Sequence, residues 1–249
     1  MTSTNKLLLE AKGITKYFGT ITALENVNLK VHEGECLGVV GDNGAGKSTL
    51  MKVLSGLYKP SAGALFFEGK EYVLDSPKDS QNLGLEMVYQ DLALAGNLPI
   101  GENIFLGREP TKNIGFLKFL DFKKIQEMTS AHLEKLKINV KSAEQKVEEL
   151  SGGQRQAVAI ARSTAFNAKV VIMDEPTAAL AIKEVGKVLD LINKLKNTGV
   201  GVIVISHRMD DIFTVCDRVM ALFQGTNFAE SQLDKTSRDE VIGWIMGKK

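Results

Sequence analysis

Short apolar runs mark the places along this chain where buried strands are expected. The segments "CLGVV", "VVIMDE" and "GVIVISH" are almost wholly apolar until their last residues, as strands covered on both faces of a sheet are. "LLLEAKG", "NVNLKV" and "LEMVYQ" also predict strands, and "ALFFEGKEY" predicts a hairpin. "GKSTLMKVLSGL" and "IKEVGKVLDLINKLKNTG" have helical spacing. The order strand–helix–strand therefore predicts an α/β fold with a mainly parallel sheet.

A middle segment, from about residue 91 to residue 165, has a helical pattern. Asp121 is a candidate N-cap for a helix in it. The apolar residues expected on one face of that helix are Phe122, Ile125, Met128 and Leu136. We therefore expect one domain over residues 1–249, with a core of about 1–90 and 166–249 and an inserted helical subdomain of about 91–165.

Composition and charge narrow the class of protein. The chain has 249 residues, 44% of them hydrophobic and 24% charged, which is typical of a globular protein. The 31 basic and 30 acidic residues leave a net charge of +1, which argues against a nucleic-acid partner. No apolar run approaches the roughly 18 residues of a membrane-spanning helix, so a cytoplasmic location is expected. Cys36 and Cys216 are expected to be buried free thiols.

A glycine-rich loop, "GDNGAGKST", follows the predicted strand "CLGVV" and opens a predicted helix. Its residues from Gly41 to Ser48 fit G-x-x-x-x-G-K-[ST], the phosphate-binding loop. Gly44 and Gly46 allow the backbone N–H groups to face phosphates, and Lys47 is expected to reach the β- and γ-phosphates. Ser48 is a candidate Mg²⁺ ligand. The alternative is a glycine-rich turn without a ligand, which the strand–loop–helix context disfavours.

Polar residues at the ends of other predicted strands are candidates for catalysis. Asp174 ends "VVIMD" and is expected to hold Mg²⁺, whereas Glu175 is placed to activate a water for attack on the γ-phosphate. His207 follows "VIVIS", at an edge where ligands gather in open α/β sheets. Gln90 ends "LEMVYQ" and is a candidate for water or Mg²⁺. A lone histidine or glutamine more often has a structural role, so the catalytic assignments of His207 and Gln90 rest on their positions after predicted strands.

A second glycine-rich helix start, "ELSGGQRQAVAIARS", lies at residues 149–163. A serine and two glycines open this predicted helix, and the N-terminal end of a helix favours an anion. A chain that binds one nucleotide through its phosphate loop has no evident need of this second end.

The order of these motifs resembles that of the ATPase subunits of ABC transporters, in which "LSGGQ" is the family's own signature. The resemblance covers nearly the whole chain. It implies a P-loop NTPase core with a mixed, mainly parallel sheet, an N-terminal antiparallel β subdomain and an inserted α-helical subdomain. It also implies that two copies meet head to tail, each ATP lying between the phosphate loop of one copy and the signature of the other. This arrangement would explain the second anion-binding end.

The resemblance assigns roles residue by residue, with ATP and Mg²⁺ as ligands. The expected catalytic residues are Glu175, His207, Gln90 and Lys47, and the expected metal ligands are Ser48, Gln90 and Asp174. The expected nucleotide-binding residues are Phe18 (stacked on adenine), Gly41, Asn43, Gly44, Ala45, Gly46, Lys47, Ser48, Thr49, Ser151, Gly152, Gly153 and Gln154.

A finer resemblance concerns the cargo. "MVYQDLALAGNLPIGENIFLGRE", "DEPTAALAIKE" and "EVIGWIMG" are similar to segments of bacterial monosaccharide importers of the ribose, xylose and fructose type. This implies a homodimer on the inner face of the cell membrane, bound to transmembrane permease subunits and served indirectly by a sugar-binding protein. Ala181 stands where most of the wider family has an aspartate, so it is left out of the catalytic set. The alternatives are a soluble ABC-type ATPase acting on ribosomes or DNA, and a non-catalytic nucleotide-binding subunit.

Overall fold

A computed structural model describes residues 6–248 of the chain. The strands of this range are β1 (Leu7–Phe18), β2 (Ile21–His32), β3 (Cys36–Val40), β4 (Ala62–Phe67), β5 (Lys70–Tyr72), β6 (Leu85–Val88), β7 (Thr111–Ile114), β8 (Leu117–Leu120), β9 (Val170–Asp174), β10 (Gly201–Ile205), β11 (Arg218–Phe223) and β12 (Thr226–Gln232). The α-helices are α1 (Lys47–Leu54), α2 (Pro77–Leu83), α3 (Ile100–Phe105), α4 (Phe122–Leu136), α5 (Gly152–Thr164), α6 (Ile182–Asn197), α7 (Met209–Val215) and α8 (Arg238–Ile245).

These elements form two compact units. The first unit comprises the chain up to Gln90, together with Asn167–Pro176 and the chain from Ile192 onward. The second comprises Asp91–Phe166 and Thr177–Leu191. Helix α6 contributes its first residues to the second unit and its last residues to the first.

A six-stranded sheet forms the centre of the first unit. Its strand order is β12-β11-β3-β10-β9-β6, and only β12 runs antiparallel to its neighbour. Every residue of β3 and of β10 is buried, as their apolar sequences predict for strands covered on both faces. The mixed, mainly parallel sheet of the predicted fold class is therefore confirmed.

A second sheet in the first unit is antiparallel, with the order β2-β1-β4-β5. The predicted hairpin is the pair β4–β5, in which Phe67 faces Lys70 across a two-residue turn. Glu68 and Gly69 in that turn have φ angles of 49° and 80°, the left-handed conformations that a type I′ hairpin turn requires. This sheet is the predicted N-terminal antiparallel subdomain.

The second unit contains the predicted helices and one element that the sequence analysis missed. Helices α3, α4 and α5 pack on one another, and Asp121 caps α4 by accepting a hydrogen bond from the Lys124 N–H. Residues 111–120 form the hairpin β7–β8 instead of continuing the helical pattern. Gly115, with a φ of 63°, opens the turn at which Ile114 pairs with Leu117.

The predicted apolar face of α4 is only half right. Ile125 and Leu136 are buried, but Phe122 and Met128 are exposed. The four buried residues of this helix are Ile125, Thr129, Leu133 and Leu136. Helical period alone allowed either stripe, and packing against α3 and α5 selects this one. Across residues 6–248 there is no helix with the length and apolarity that crossing a bilayer requires.

Candidate active site

The carboxyl ends of four parallel strands meet at one edge of the central sheet. Ile205 lies opposite Val39 on β3 and opposite Asp174 on β9. Val88, the last residue of β6, lies opposite Met173. Gln90, which is exposed, follows β6 by two residues, and Glu175 follows β9 directly. The first unit thus gathers the predicted loop, acidic, histidine and glutamine positions at this edge.

The glycine-rich loop has the backbone shape that its sequence predicts. Gly41, Gly44 and Gly46 have φ angles of 155°, 82° and 100°. A methyl group on Gly41 would lie 2.5 Å from the Leu222 carbonyl oxygen, and one on Gly46 would lie 2.8 Å from that of Ala23. Side chains are therefore excluded at both positions by neighbouring backbone.

The loop leads directly into the first turn of α1. Gly46 is the N-cap, and none of the described side chains caps it, so the first N–H groups of the helix stay available to a ligand. Asn43 donates its N–H to the Asp42 carboxylate at 2.7 Å, and Ala45 donates its own to the Asp42 carbonyl oxygen at 3.1 Å. Thr49 follows in the same turn. This loop geometry suits a phosphate.

Lys47 folds back over the loop. Its Nζ donates hydrogen bonds to the carbonyl oxygens of Gly41 and Asp42, at 2.7 and 2.9 Å. Burial lowers the pKa of Lys47, although the negative charges of Glu175, Asp42 and Asp174 oppose this. An anionic ligand at the loop, such as a triphosphate, would act in the same direction as these carboxylates and favour the charged form of Lys47.

Asp174 ends β9 as a half-buried carboxylate. Burial, and then the neighbouring charge of Glu175, raise its pKa, while Lys47 and Lys52 act in the opposite direction. A divalent cation would relieve this shortage of positive charge. The oxygen donors predicted beside it, from the exposed Ser48 and Gln90, are of the hard type that Mg²⁺ prefers. Within residues 6–248 no group of three or more His, Cys, Asp or Glu side chains forms a metal cluster of its own.

Glu175 has one anchored carboxylate oxygen and one that finds no partner in the described part of the chain. Its φ is 50°, and its N–H donates to the Ile205 carbonyl oxygen at 2.9 Å, which fixes the backbone. Oε1 accepts a hydrogen bond from the His207 N–H at 3.1 Å. Oε2 is buried and has no hydrogen-bond partner among the described residues. A buried carboxylate oxygen without a partner is suited to accept a proton from a water.

His207 is bonded to the same carboxylate through its ring. Nδ1 lies 2.8 Å from Glu175 Oε1, so Nδ1 carries a proton and donates it to that oxygen. The His207 side chain is 71% exposed, against 14% for Glu175. The imidazole thus orients the glutamate while most of the ring remains exposed. The sequence placed His207 at this edge but did not predict its bond to Glu175.

Phe18 lies at the end of β1, in the antiparallel sheet of the first unit. Its ring is 41% exposed and meets Tyr58 edge to face, with centroids 5.3 Å apart. Lys16 Nζ lies 5.2 Å from the centroid of the Phe18 ring. An accessible ring held by an aromatic neighbour is suited to stacking on a base. Its contact with adenine stays a prediction.

The signature residues open α5, in the second unit. Ser151 is the N-cap and Gln154 closes a capping box: the Gln154 N–H donates to Ser151 Oγ at 3.3 Å, and the Ser151 N–H donates to Gln154 Oε1 at 3.0 Å. Gln154 Nε2 also donates to the Asn139 carbonyl oxygen at 3.0 Å. Gly152 and Gly153 form the first turn. This end has the geometry of an anion site.

An acidic residue that the sequence analysis missed lies at this end. Glu184, near the start of α6, accepts hydrogen bonds from the Ser151 hydroxyl and the Gly153 N–H, which lower its pKa. A methyl group on Gly153 would lie 2.8 Å from Glu184 Cβ. Nothing in the local sequence around Glu184 signals this contact, because it joins two helices that are distant in the chain.

The segment of residues 91–99 is shaped by two side chains of the second unit. Asn103 is fully buried, accepts the Ala95 N–H at 2.8 Å and donates to the carbonyl oxygens of Ala95, Leu98 and Pro99. Arg162 donates to the carbonyl oxygens of Leu92 and Ala93. The segment is therefore held in a defined shape, with Glu102 on the following helix.

Comparison with known proteins gives consistent matches. The family model described as ABC transporter matches residues 24–178. The chain is 46% identical to the xylose/arabinose import ATP-binding protein XylG of Sulfolobus acidocaldarius, over 94% of this chain and 92% of XylG. It is 41% identical to the galactose/methyl galactoside import ATP-binding protein MglA of Escherichia coli O157:H7, over 99% of this chain and 48% of MglA. It thus spans nearly the whole of the first relative and about half the length of the second.

Solved structures agree with the fold. The dimeric structure of MJ0796, a bacterial ABC transporter cassette, matches with a TM-score of 0.75 at 29% identity. The match covers 91% of this chain and 99% of that one.

Proposed function

This chain belongs to the ABC transporter family and is one of its ATPases, and on that premise we propose that it powers the import of a sugar. The observation that carries its ATPase role is the edge of the central sheet, where the phosphate loop meets the Glu175 carboxylate, one buried oxygen of which has no hydrogen-bond partner among residues 6–248; the sugar rests on the relatives named above. The phosphate loop binds a nucleoside triphosphate, and the carboxylate activates a water beside it.

The chain's own residues divide the work of hydrolysis. Loop N–H groups and Lys47 hold the phosphates, and Phe18 stacks on the adenine. Asp174, Ser48 and Gln90 would hold Mg²⁺, which supplies positive charge to the β- and γ-phosphate oxygens. Glu175 takes a proton from the attacking water through Oε2, while His207 keeps the other oxygen in place.

Two copies of the chain complete two sites. The second anion-binding end, at Ser151 and Gly153, binds the γ-phosphate on the phosphate loop of the other copy. This use of the α5 N-terminus accounts for its capping geometry, and the MJ0796 cassette is a solved dimer. A single copy then binds ATP but hydrolyses it poorly. ATP closes the dimer, and hydrolysis opens it.

Light scattering of Glu175→Gln, with and without ATP and Mg²⁺, tests this arrangement. We expect a monomer that becomes a dimer only when ATP is present. Wild-type ATPase activity should also rise more steeply than linearly with protein concentration. A monomer in all conditions, together with a specific activity independent of protein concentration, would show that each copy is self-sufficient and would overturn the shared site.

The partner in the membrane is a permease, and residues 91–99 with Glu102 form its docking surface. The support is the defined shape that Asn103 and Arg162 impose on this segment. Docking places the ATPase on the inner face of the membrane. Glu102→Lys should leave ATP hydrolysis by the isolated protein unchanged and abolish sugar uptake by cells carrying the whole transporter. Glu134→Lys, an exposed charge reversal on α4, is the matched control, and normal uptake by Glu102→Lys would refute the surface.

The cargo is a monosaccharide, as the names of the two import relatives indicate for those proteins. A separate binding protein and the permease select the sugar. A strain lacking this chain should lose uptake of one or more labelled sugars among xylose, arabinose, ribose, galactose and fructose. Unchanged uptake of all five would exclude the assignment.

A further inference from the structure

The N-terminal end of α5 already holds an anion that belongs to the same chain. The Ser151 hydroxyl and the Gly153 N–H both donate to the Glu184 carboxylate, which also accepts the Ala181 N–H at the start of its own helix. The Ser151 oxygen accepts the Gln154 N–H at the same time, so its proton is free to point to the carboxylate. All of these residues belong to the second unit, and their contacts form without nucleotide and without a second copy of the chain.

The fit is close as well as polar. A methyl group on Gly153 would come within 2.8, 2.9 and 3.0 Å of Glu184 Cβ, Cδ and Cγ. Glycine at this position therefore leaves room for the glutamate side chain in the isolated subunit. The same two donors are those that the proposed dimer offers to a γ-phosphate oxygen. A carboxylate oxygen and a phosphate oxygen are both anionic acceptors of the kind that a serine hydroxyl and a helix N-terminus bind.

The two anions exclude each other. One set of donors serves either the carboxylate or the phosphate, and like charges brought together at a helix end repel. The positive charge of Lys187, one turn along the same helix, further lowers the pKa of Glu184. A γ-phosphate that enters must therefore turn Glu184 away into solvent.

We propose that Glu184 is an internal competing anion, which occupies the signature end of α5 in the single subunit and must be displaced by the partner's ATP before the dimer closes. The inference rests on the proposed function. Its consequence is a threshold: Glu184 raises the ATP concentration needed for closure and thereby suppresses closure when the phosphate is missing.

Dimer formation by Glu175→Gln variants tests the threshold. Glu184→Gln keeps the size and one acceptor oxygen but removes the charge. In this background it should lower the ATP concentration for half-maximal dimerisation by about ten-fold, equivalent to about 1.4 kcal/mol. Glu184→Asp, which keeps the charge, should stay within about three-fold of the parent. Glu134→Gln, an exposed carboxylate on α4 of the same unit, should match the parent.

Two results would overturn the proposal. If Glu184→Gln leaves the ATP concentration for half-maximal dimerisation unchanged, the carboxylate caps the helix but does not affect closure. If Glu184→Gln raises that concentration, Glu184 is a positioning residue that helps Ser151 to bind phosphate.

A second readout does not depend on dimerisation and so separates this inference from the proposed function. The Gly153 amide resonance of the monomer is followed by NMR during titration with inorganic phosphate. It should shift at a lower phosphate concentration in Glu184→Gln than in wild type. Equal titration curves would refute the competition even if the dimer forms as proposed. A parent Glu175→Gln that never dimerises would refute the shared site, while the phosphate titration would still decide the role of Glu184.

Discussion

Replacing Glu175 by glutamine should separate turnover from nucleotide binding. The amide oxygen of glutamine still accepts the His207 N–H, which lies 3.1 Å from Oε1 in the wild type. The other carboxylate oxygen, buried and without a hydrogen-bond partner in residues 6–248, becomes an NH₂ group. That group donates hydrogen bonds and accepts no proton, so the general base is lost with little change in shape.

The size of the effect follows from the role of a general base. Such assistance contributes about 10²–10⁴ in rate, which corresponds to about 2.7–5.4 kcal/mol of activation free energy. We expect kcat to fall by that factor and KM for ATP to change by less than about three-fold, because loop and lysine contacts remain. Phosphate release over a range of ATP concentrations measures both. Glu71→Gln, an exposed carboxylate on β5, is the control and should behave as wild type.

The bond between His207 and Glu175 adds a sharper test. His207→Ala removes the donor 2.8 Å from Oε1 and leaves the backbone donor, so kcat should fall by about ten-fold. In the Glu175→Gln background the same change should add almost nothing, because both residues act on one proton transfer. Additive losses would mean that His207 acts independently of the glutamate. A kcat of Glu175→Gln above one-tenth of wild type would refute the general-base assignment itself.

Three further predictions concern stability and binding. Arg218→Met removes the guanidinium whose Nε lies 2.7 Å from the buried Glu35 carboxylate. It should lower the free energy of unfolding, measured in urea, by about 3–5 kcal/mol. Burial alone would raise the pKa of Glu35, but Arg218 holds this pKa below its ordinary value of 4.5, so the pair contributes its full stability above about pH 4.5 and loses it as pH falls through the lower pKa of the folded state. The loss caused by Arg218→Met should therefore be complete at pH 7 and shrink only below about pH 4.5, and a loss that stays constant down to about pH 3 would contradict the pairing. Gly46→Ala should weaken ATP binding by at least about ten-fold in a fluorescence titration, and more than Gly44→Ala, because a methyl group at Gly46 meets Ala23 whereas one at Gly44 meets nothing within 4 Å; equal losses would contradict the steric account. Phe18→Ala should raise KM for ATP and for GTP alike with kcat preserved, since ring stacking tolerates any base, and a selective loss of ATP would point to a base-specific contact instead.

Much of the core could be predicted because its signals are local. The apolar runs of β3, β9 and β10 announce strands buried on both faces, and the phosphate loop lies where a strand–loop–helix motif requires it. Strand β11, "RVMALF", is just as apolar and was missed. It follows α7 after only two residues, without a glycine or proline to mark the boundary. Its start is instead set by a contact distant in the chain, since the Asp217 carboxylate accepts the Cys36 N–H at 2.8 Å.

The second unit was harder to predict for the same reason. Strands β7 and β8 are exposed along their whole length, so no alternation of buried and exposed residues marks them, and only Gly115 hints at the turn. In the candidate site, motif and spacing located Lys47, Glu175 and His207. They gave no hint of the bond from His207 to Glu175, because that bond depends on the register between β9 and β10. Contacts that join distant segments are fixed by packing rather than by local pattern.

The position of β3 in the middle of the central sheet affects how the protein is made. Its two neighbours are β10 and β11, so the strand that carries the phosphate loop has no sheet partner until roughly 160 further residues, from Val40 to Gly201, have been synthesised. At about 5–20 residues per second a ribosome needs about 8–32 s for that stretch. During this time an apolar strand waits unpaired, while β1, β2, β4 and β5 already have all their partners within the emerging chain. The nascent protein therefore acquires its antiparallel sheet early and its nucleotide site only near the end of translation, which makes β3 the segment that a chaperone has most reason to shield.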